Sequence, residues 1–152
     1  MANYVTSGQV GIDLTVNDVS PGFTPGLTVK TSDGGEAVYV QATSTIAQFD
    51  ACIIINTSSA SSPTIGCVPV TTTNALTSQR LAFAQTAITS SYYGWVQTTG
   101  NNIRINCLIA CQPAVPLYTT ATAGSLDDAV VTAGYCLGVV LKSSATSASA
   151  PP

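Results

Sequence analysis

Apolar side chains recur at every second position along much of this 152-residue chain, and stretches with the 3.6-residue rhythm of a helix are scarce. Residues 26–31 and 36–42 flank Ser32-Asp33-Gly34-Gly35, where Asp-Gly predicts a tight type I′ hairpin. In the second of these strands Val38, Val40 and Ala42 share one face, leaving Tyr39 and Gln41 on the other. Residues 50–56 carry the unbroken run Cys52-Ile53-Ile54-Ile55, which suits a strand covered on both faces. A Ser-rich loop is expected over 57–63, then a strand over 65–70 in which Pro69 favours an edge or a bulge. Polar residues 71–78 suit a loop or a short helical turn.

Further strands are expected over 81–88 and over 92–98, the latter alternating Tyr93, Trp95 and Gln97 against Tyr92, Gly94 and Val96. Thr99-Gly100-Asn101-Asn102 suits a type II′ turn into a strand over 103–110, with Ile103, Ile105, Cys107 and Ile109 on one face. Short strands over 117–120 and 129–131, and a longer one over 135–142, complete the pattern. Eight to ten short strands with closely spaced turns predict an all-β fold, a compact β-sandwich or small β-barrel. The body is expected over 24–142. Residues 1–23 are either an extended arm that pairs with a neighbour's sheet edge or an ordinary first strand. Residues 143–152, rich in Ser, Ala and Pro, read as a peripheral tail.

Composition narrows what such a fold can do. Charged residues make up 7% of the chain, against roughly 25% in an ordinary soluble domain. There is no histidine, and the net charge is −3. Proton transfer and nucleophile activation need titratable groups, so no catalytic residue and no cofactor is expected. The abundant serines lack a histidine base, and no P-loop, Rossmann fingerprint or nucleophile elbow is present. Lys30, Arg80, Arg104 and Lys142 are dispersed, which argues against direct contact with nucleic acid. No apolar run approaches the length of a membrane span, and no signal peptide is apparent.

Five cysteines, an odd number without a Cys-x-x-Cys pair, argue for buried free thiols in a reducing compartment. Cys107 and Cys111 are four apart, but with no histidine to join them no zinc site is expected. Asp127-Asp128 and the Asp33–Glu36 turn are the acidic clusters. Both read as turn and capping groups, because a calcium site needs six to eight converging oxygens.

Three blocks are less generic: Asp33-Gly34-Gly35-Glu36-Ala37-Val38-Tyr39-Val40-Gln41-Ala42, Tyr92-Tyr93-Gly94-Trp95-Val96-Gln97, and Leu117-Tyr118-Thr119-Thr120-Ala121-Thr122-Ala123-Gly124-Ser125-Leu126-Asp127-Asp128. Together, over roughly residues 23–141, they resemble the capsid decoration (cement) proteins of tailed bacteriophages. The resemblance implies a structural virion protein, made in the host cytoplasm and placed on the outer capsid surface. Its partners would be the major capsid protein and further copies of itself, as a homotrimer that stabilises contacts between capsid subunits. Aromatic and arginine side chains anchor protein interfaces, which makes Tyr39, Tyr92, Tyr93, Trp95, Arg104 and Tyr118 the candidate interface residues. For Trp95 and at least one tyrosine the competing role is to fill the core. The alternative function is a carbohydrate- or receptor-binding β-module, such as a head fibre or adhesin, using Tyr92, Tyr93 and Gln97.

Overall fold

The computed structural model describes residues 12–59, 62–75, 80–130 and 135–142, with the backbone alone at 58–59, 62–63 and 135–138. Within them lie nine strands: β1 (Thr28–Lys30), β2 (Glu36–Ala42), β3 (Ala51–Ser59), β4 (Ser62–Pro69), β5 (Arg80–Phe83), β6 (Tyr93–Thr99), β7 (Pro116–Thr119), β8 (Leu126–Asp127) and β9 (Tyr135–Val140). The protein is all-β. No helix among the described residues is long and apolar enough to cross a membrane.

Six strands form one sheet in the order β1-β2-β4-β3-β5-β6, and β6 returns to pair with β2. The ring β2-β4-β3-β5-β6 is therefore a closed barrel, with β1 added outside on β2. An odd ring cannot close through antiparallel pairs alone, so one neighbouring pair must run parallel. That pair is β2–β4, which meet at Gln41–Gly66 and Ala42–Cys67. The long β3–β4 hairpin, in register from Cys52–Pro69 to Ser59–Ser62, supplies the crossover that makes the parallel pair possible. The remaining strands form a second sheet, β8-β7-β9.

Every barrel strand sends alternate residues inward. Val38, Val40 and Ala42 from β2, Cys52 from β3, Cys67 from β4, Ala82 from β5 and Val96 from β6 form one buried cluster, closed by Ile46 and Ile88 from the loops. A barrel of eight strands is just wide enough to be filled by side chains. Five strands leave less room, which explains why Ala, Cys and Val dominate here and why large residues sit outside.

The outward faces are also covered. On one side Ala51, Ile53 and Phe83 meet Ile105, Cys107, Cys111, Leu117, Leu126 and Leu141, joining the barrel to the second sheet. On the other side Ala37, Tyr39 and Trp95 meet Val29 and Ile12, with Leu14, Phe23, Leu27 and Tyr93 packed around them. Because β2 and β3 are buried on both faces, period-two alternation separates two cores there instead of core from solvent.

Several expectations change. The hairpin at Asp33-Gly34 is not type I′: Gly34 has φ 81°, but Asp33 is not in the positive-φ region that type I′ requires. Thr31 and Gly35 close a three-residue loop instead, and Asp33 stays put because its carboxylate accepts from Thr31 Oγ1 and the Gly35 amide. The Ser-rich segment 57–63 is largely strand, its ladder running to Ser59 and resuming at Ser62. Pro69 ends β4, and Pro63 lies where β4 pairs with β3 but not yet with β2, so neither proline deprives an inner ladder. The segment 103–110 forms no strand, although Ile105 and Cys107 are buried as its alternation implies. Its backbone is shared between two neighbours: Asn106 N–H donates to Phe49, and Leu108 N–H donates to Leu126. An extended segment can bury alternate residues without joining a ladder. The strand expected at 129–131 lies earlier, at β8, and Val130 is exposed.

Residues 12–23 wrap the barrel, with an isolated bridge that sets Asp18 opposite Tyr93. They contribute Ile12, Leu14 and Phe23 to the aromatic side of the molecule. The remainder of the expected arm (residues 1–11) and the tail (143–152) lie outside the described residues.

Candidate functional site

The six candidate interface residues separate into two groups. Tyr39 is fully buried and Trp95 is 5% exposed, so neither ring reaches a partner. Both belong to an aromatic cluster on the outer wall of the barrel. The Tyr39 ring lies 5.0 Å from Trp95 and 5.4 Å from Phe23, and Phe23 meets Trp95 nearly edge-on at 5.5 Å. Edge-to-face contacts at this spacing add to simple burial. Tyr39 Oη donates to Asp18 Oδ2 at 2.5 Å and accepts from the Gly22 amide at 3.1 Å. Burial, followed by the Asp18 carboxylate, pushes the Tyr39 hydroxyl up to about 12. Of the two roles weighed for Trp95 and a tyrosine, their burial in this chain matches core filling and not a surface anchor: they fasten residues 12–23 to the barrel.

Tyr92, Tyr93 and Tyr118 are half-buried, and Arg104 is exposed. The Tyr93 ring stacks on Tyr39 at 6.1 Å, on the aromatic side. Tyr92 packs against the barrel cluster. Tyr118 lies on β7, opposite Asp127 and Tyr135. Arg104 sits over the Phe49 ring at 5.7 Å, a cation–π contact. These four do not converge on one patch of the described surface.

The acidic groups hold turns and joints. Burial pushes the Asp33 carboxyl up, but hydrogen bonds from Thr31, Gly35, Gln97 and Asn102 outweigh it and hold the group below the usual carboxylate range. Glu36 is held low by Lys30 and Arg80, which both bond it across the barrel rim. Asp50 is buried, and burial pushes its carboxyl up despite bonds from the Ala47 amide at 2.8 Å and Asn106 Nδ2 at 3.0 Å. A Cβ on Gly124 would fall 2.2 Å from the Asp50 carboxyl carbon, so this carboxylate occupies the space a side chain would need.

Gly124 joins the two sheets. Its carbonyl accepts from Ala51 at the start of β3, its amide donates to Val70, and its φ is 77°. Gly94, Trp95, Val96 and Gln97 are all buried, as are Leu117, Thr119, Thr120, Gly124 and Leu126. The blocks that carried the family resemblance thus build the fold rather than its exposed surface.

What the sequence reading missed is a meeting of distant segments. Cys107 and Cys111 are buried free thiols, and Cys111 lies beside the Asp127 and Asp128 carboxylates. The two blocks stand 16 residues apart, and nothing in local periodicity brings them together. Compared with known proteins, the chain matches no family model, no curated protein and no solved structure.

Proposed function

We propose that this chain is a structural virion protein. It binds the outer surface of an icosahedral phage head as a homotrimer and stabilises contacts between major capsid subunits. The observation that carries this reading is where the charge goes. Ten of the eleven charged side chains are engaged within the chain. The surface carries only a few charges, Lys30, Arg80 and Arg104 among them, between hydroxyls, amides and exposed apolar groups that include Val19, Ile109, Val130 and Val140. Such a surface has little of the charge that keeps small domains apart in solution. It suits a protein whose working state is against another protein, where charged residues are depleted from the interface core.

The second sheet supports the same reading. The outer edge of β8 is taken by residues 106–108, but β9 has no second strand partner among the described residues, and an open edge accepts a strand from another chain through backbone hydrogen bonds. The test is cosedimentation of the purified full chain with heads of the phage that carries its gene, prepared without this protein. Saturable binding with a raised melting temperature of the heads is expected. A chain that stays in the supernatant at every concentration overturns the proposal.

A further inference from the structure

One cluster lies where residues 107–112 meet the end of β8. Cys111 is fully buried, at the foot of a turn that also carries Ala110. Asp127 ends β8, and Asp128 follows it. One ligand atom from each of Cys111, Asp127 and Asp128 lies within 4.8 Å of the other two. Cys111 Sγ stands 3.4 Å from Asp127 Oδ1. The Asp128 carboxylate is held in place by the Gln112 amide, which donates to Oδ2 at 2.9 Å. The Asp128 amide donates in turn to Asp127 Oδ1 at 2.9 Å.

The arrangement concentrates negative charge without a protein cation. Among the described residues both ion pairs are made by Glu36, to Lys30 and to Arg80. Two adjacent carboxylates beside a buried thiol therefore face one another with backbone amides as their polar neighbours. A divalent cation would neutralise that concentration of negative charge directly.

The distances also fit. Bonds of about 2.3 Å to thiolate sulfur and about 2.0–2.2 Å to carboxylate oxygen set an S···O edge of about 3.6 Å in a tetrahedral site. The observed Cys111–Asp127 separation is close to that edge. One sulfur with two carboxylates selects a borderline cation such as Zn²⁺ or Co²⁺ over Mg²⁺ or Ca²⁺, which take oxygen ligands alone. Cys107 touches the Cys111 thiol from the apolar side and lies outside the group of three.

We infer that Cys111, Asp127 and Asp128 form a binding site for a divalent cation of the zinc class, tying the turn after residue 107 to the end of β8. The metal–sulfur bond forms as the Cys111 proton leaves to solvent. The site clips together the two segments that cover the outer barrel wall. This inference departs from the expectation of no zinc site, which was drawn from Cys107 and Cys111 without the two aspartates.

Cobalt titration of the purified full chain tests it. Saturable growth of a near-ultraviolet thiolate-to-cobalt absorption band is expected, with displacement by zinc and a rise in melting temperature. Cys111→Ser is expected to abolish the band. Asp127→Asn and Asp128→Asn should each weaken cobalt binding by roughly tenfold or more. Cys107→Ser should retain the band, and far-ultraviolet circular dichroism checks that each variant is folded. Absence of the band in the wild-type chain overturns the inference, as does a band that survives Cys111→Ser. Unchanged affinity in both aspartate variants, or loss of the band in folded Cys107→Ser, overturns the ligand assignment.

Discussion

The barrel passes its hydrogen bonds around a closed ring, whereas the three-stranded sheet ends at β9 on one side and, beyond β8, in a single bridge to residues 106–108 on the other. The contrast extends to their cysteines. Cys52 and Cys67 lie inside the ring among Val, Ala and Ile side chains, where a thiol serves as a small hydrophobe. Contact between the two thiols, together with burial, pushes Cys52 well above the ordinary thiol range. Cys107 and Cys111 are as well buried, but Asp127 and Asp128 stand beside them. Burial first, then the neighbouring thiol and carboxylates, pushes Cys107 up to about 12. Equal burial therefore does not mean equal chemistry. One pair fills space, and the other sits where three chain segments meet polar groups.

The comparison can be broken most severely from the barrel side. Tyr39→Ala removes a fully buried ring that holds Phe23, Trp95 and Asp18 together, and should cost about 3–5 kcal/mol. The single tryptophan, Trp95, lies in this cluster, so its fluorescence during urea unfolding reads the loss directly. An unchanged midpoint would show that the cluster is not part of the cooperative unit.

The joint between the regions comes next. Gly124→Ala combines a left-handed backbone with a collision against Asp50, and should cost about 2–4 kcal/mol. Its effect is expected to be uneven: labelling of Cys107 and Cys111 should accelerate while Cys52 and Cys67 stay protected. Equal acceleration at all four thiols would make the two regions a single unit.

The smallest effect separates two aspartates by sign. Asp50 has its folded pKa raised, so in the window above the unfolded value, about pH 4, the folded state binds the extra proton. Its ionisation therefore lowers stability as pH rises through that window. Asp33 has its folded pKa lowered, so its contribution is present above the unfolded value and fades as pH falls. Melting temperatures of Asp50→Asn and Asp33→Asn between about pH 3 and pH 6 should deviate from wild type with opposite slopes. Parallel curves would refute the assignment.

Much of the barrel was legible because its strands obey period two. Val38, Val40 and Ala42 separate from Tyr39 as the alternation implies, and Cys52-Ile53-Ile54-Ile55 is covered on both faces. What was hidden depends on residues far apart in the chain. Tyr39 and Trp95 look like surface anchors until residues 12–23 are seen to cover them. Ile103, Ile105 and Cys107 alternate like a strand but divide their backbone bonds between a loop and β8. The Cys111 cluster needs β8 folded back onto residues 107–112, a closure with no local signature.

Ring closure also has a mechanical consequence. Two broad ribbons, β4-β3-β5 and β1-β2-β6, make up the wall, and each is paired along most of its length. They are stitched together at two narrow seams. One holds Gln41 opposite Gly66 and Ala42 opposite Cys67, and the other holds Phe83 opposite Gln97. A force applied across the barrel would meet little backbone resistance at either seam, and the ribbons would hinge apart before any strand left its own ribbon. What opposes this at rest is the side-chain plug within, together with the backbone bridge between Ile46 and Ile88 that closes it, so the barrel's resistance to shear resides in its filling as well as in its wall.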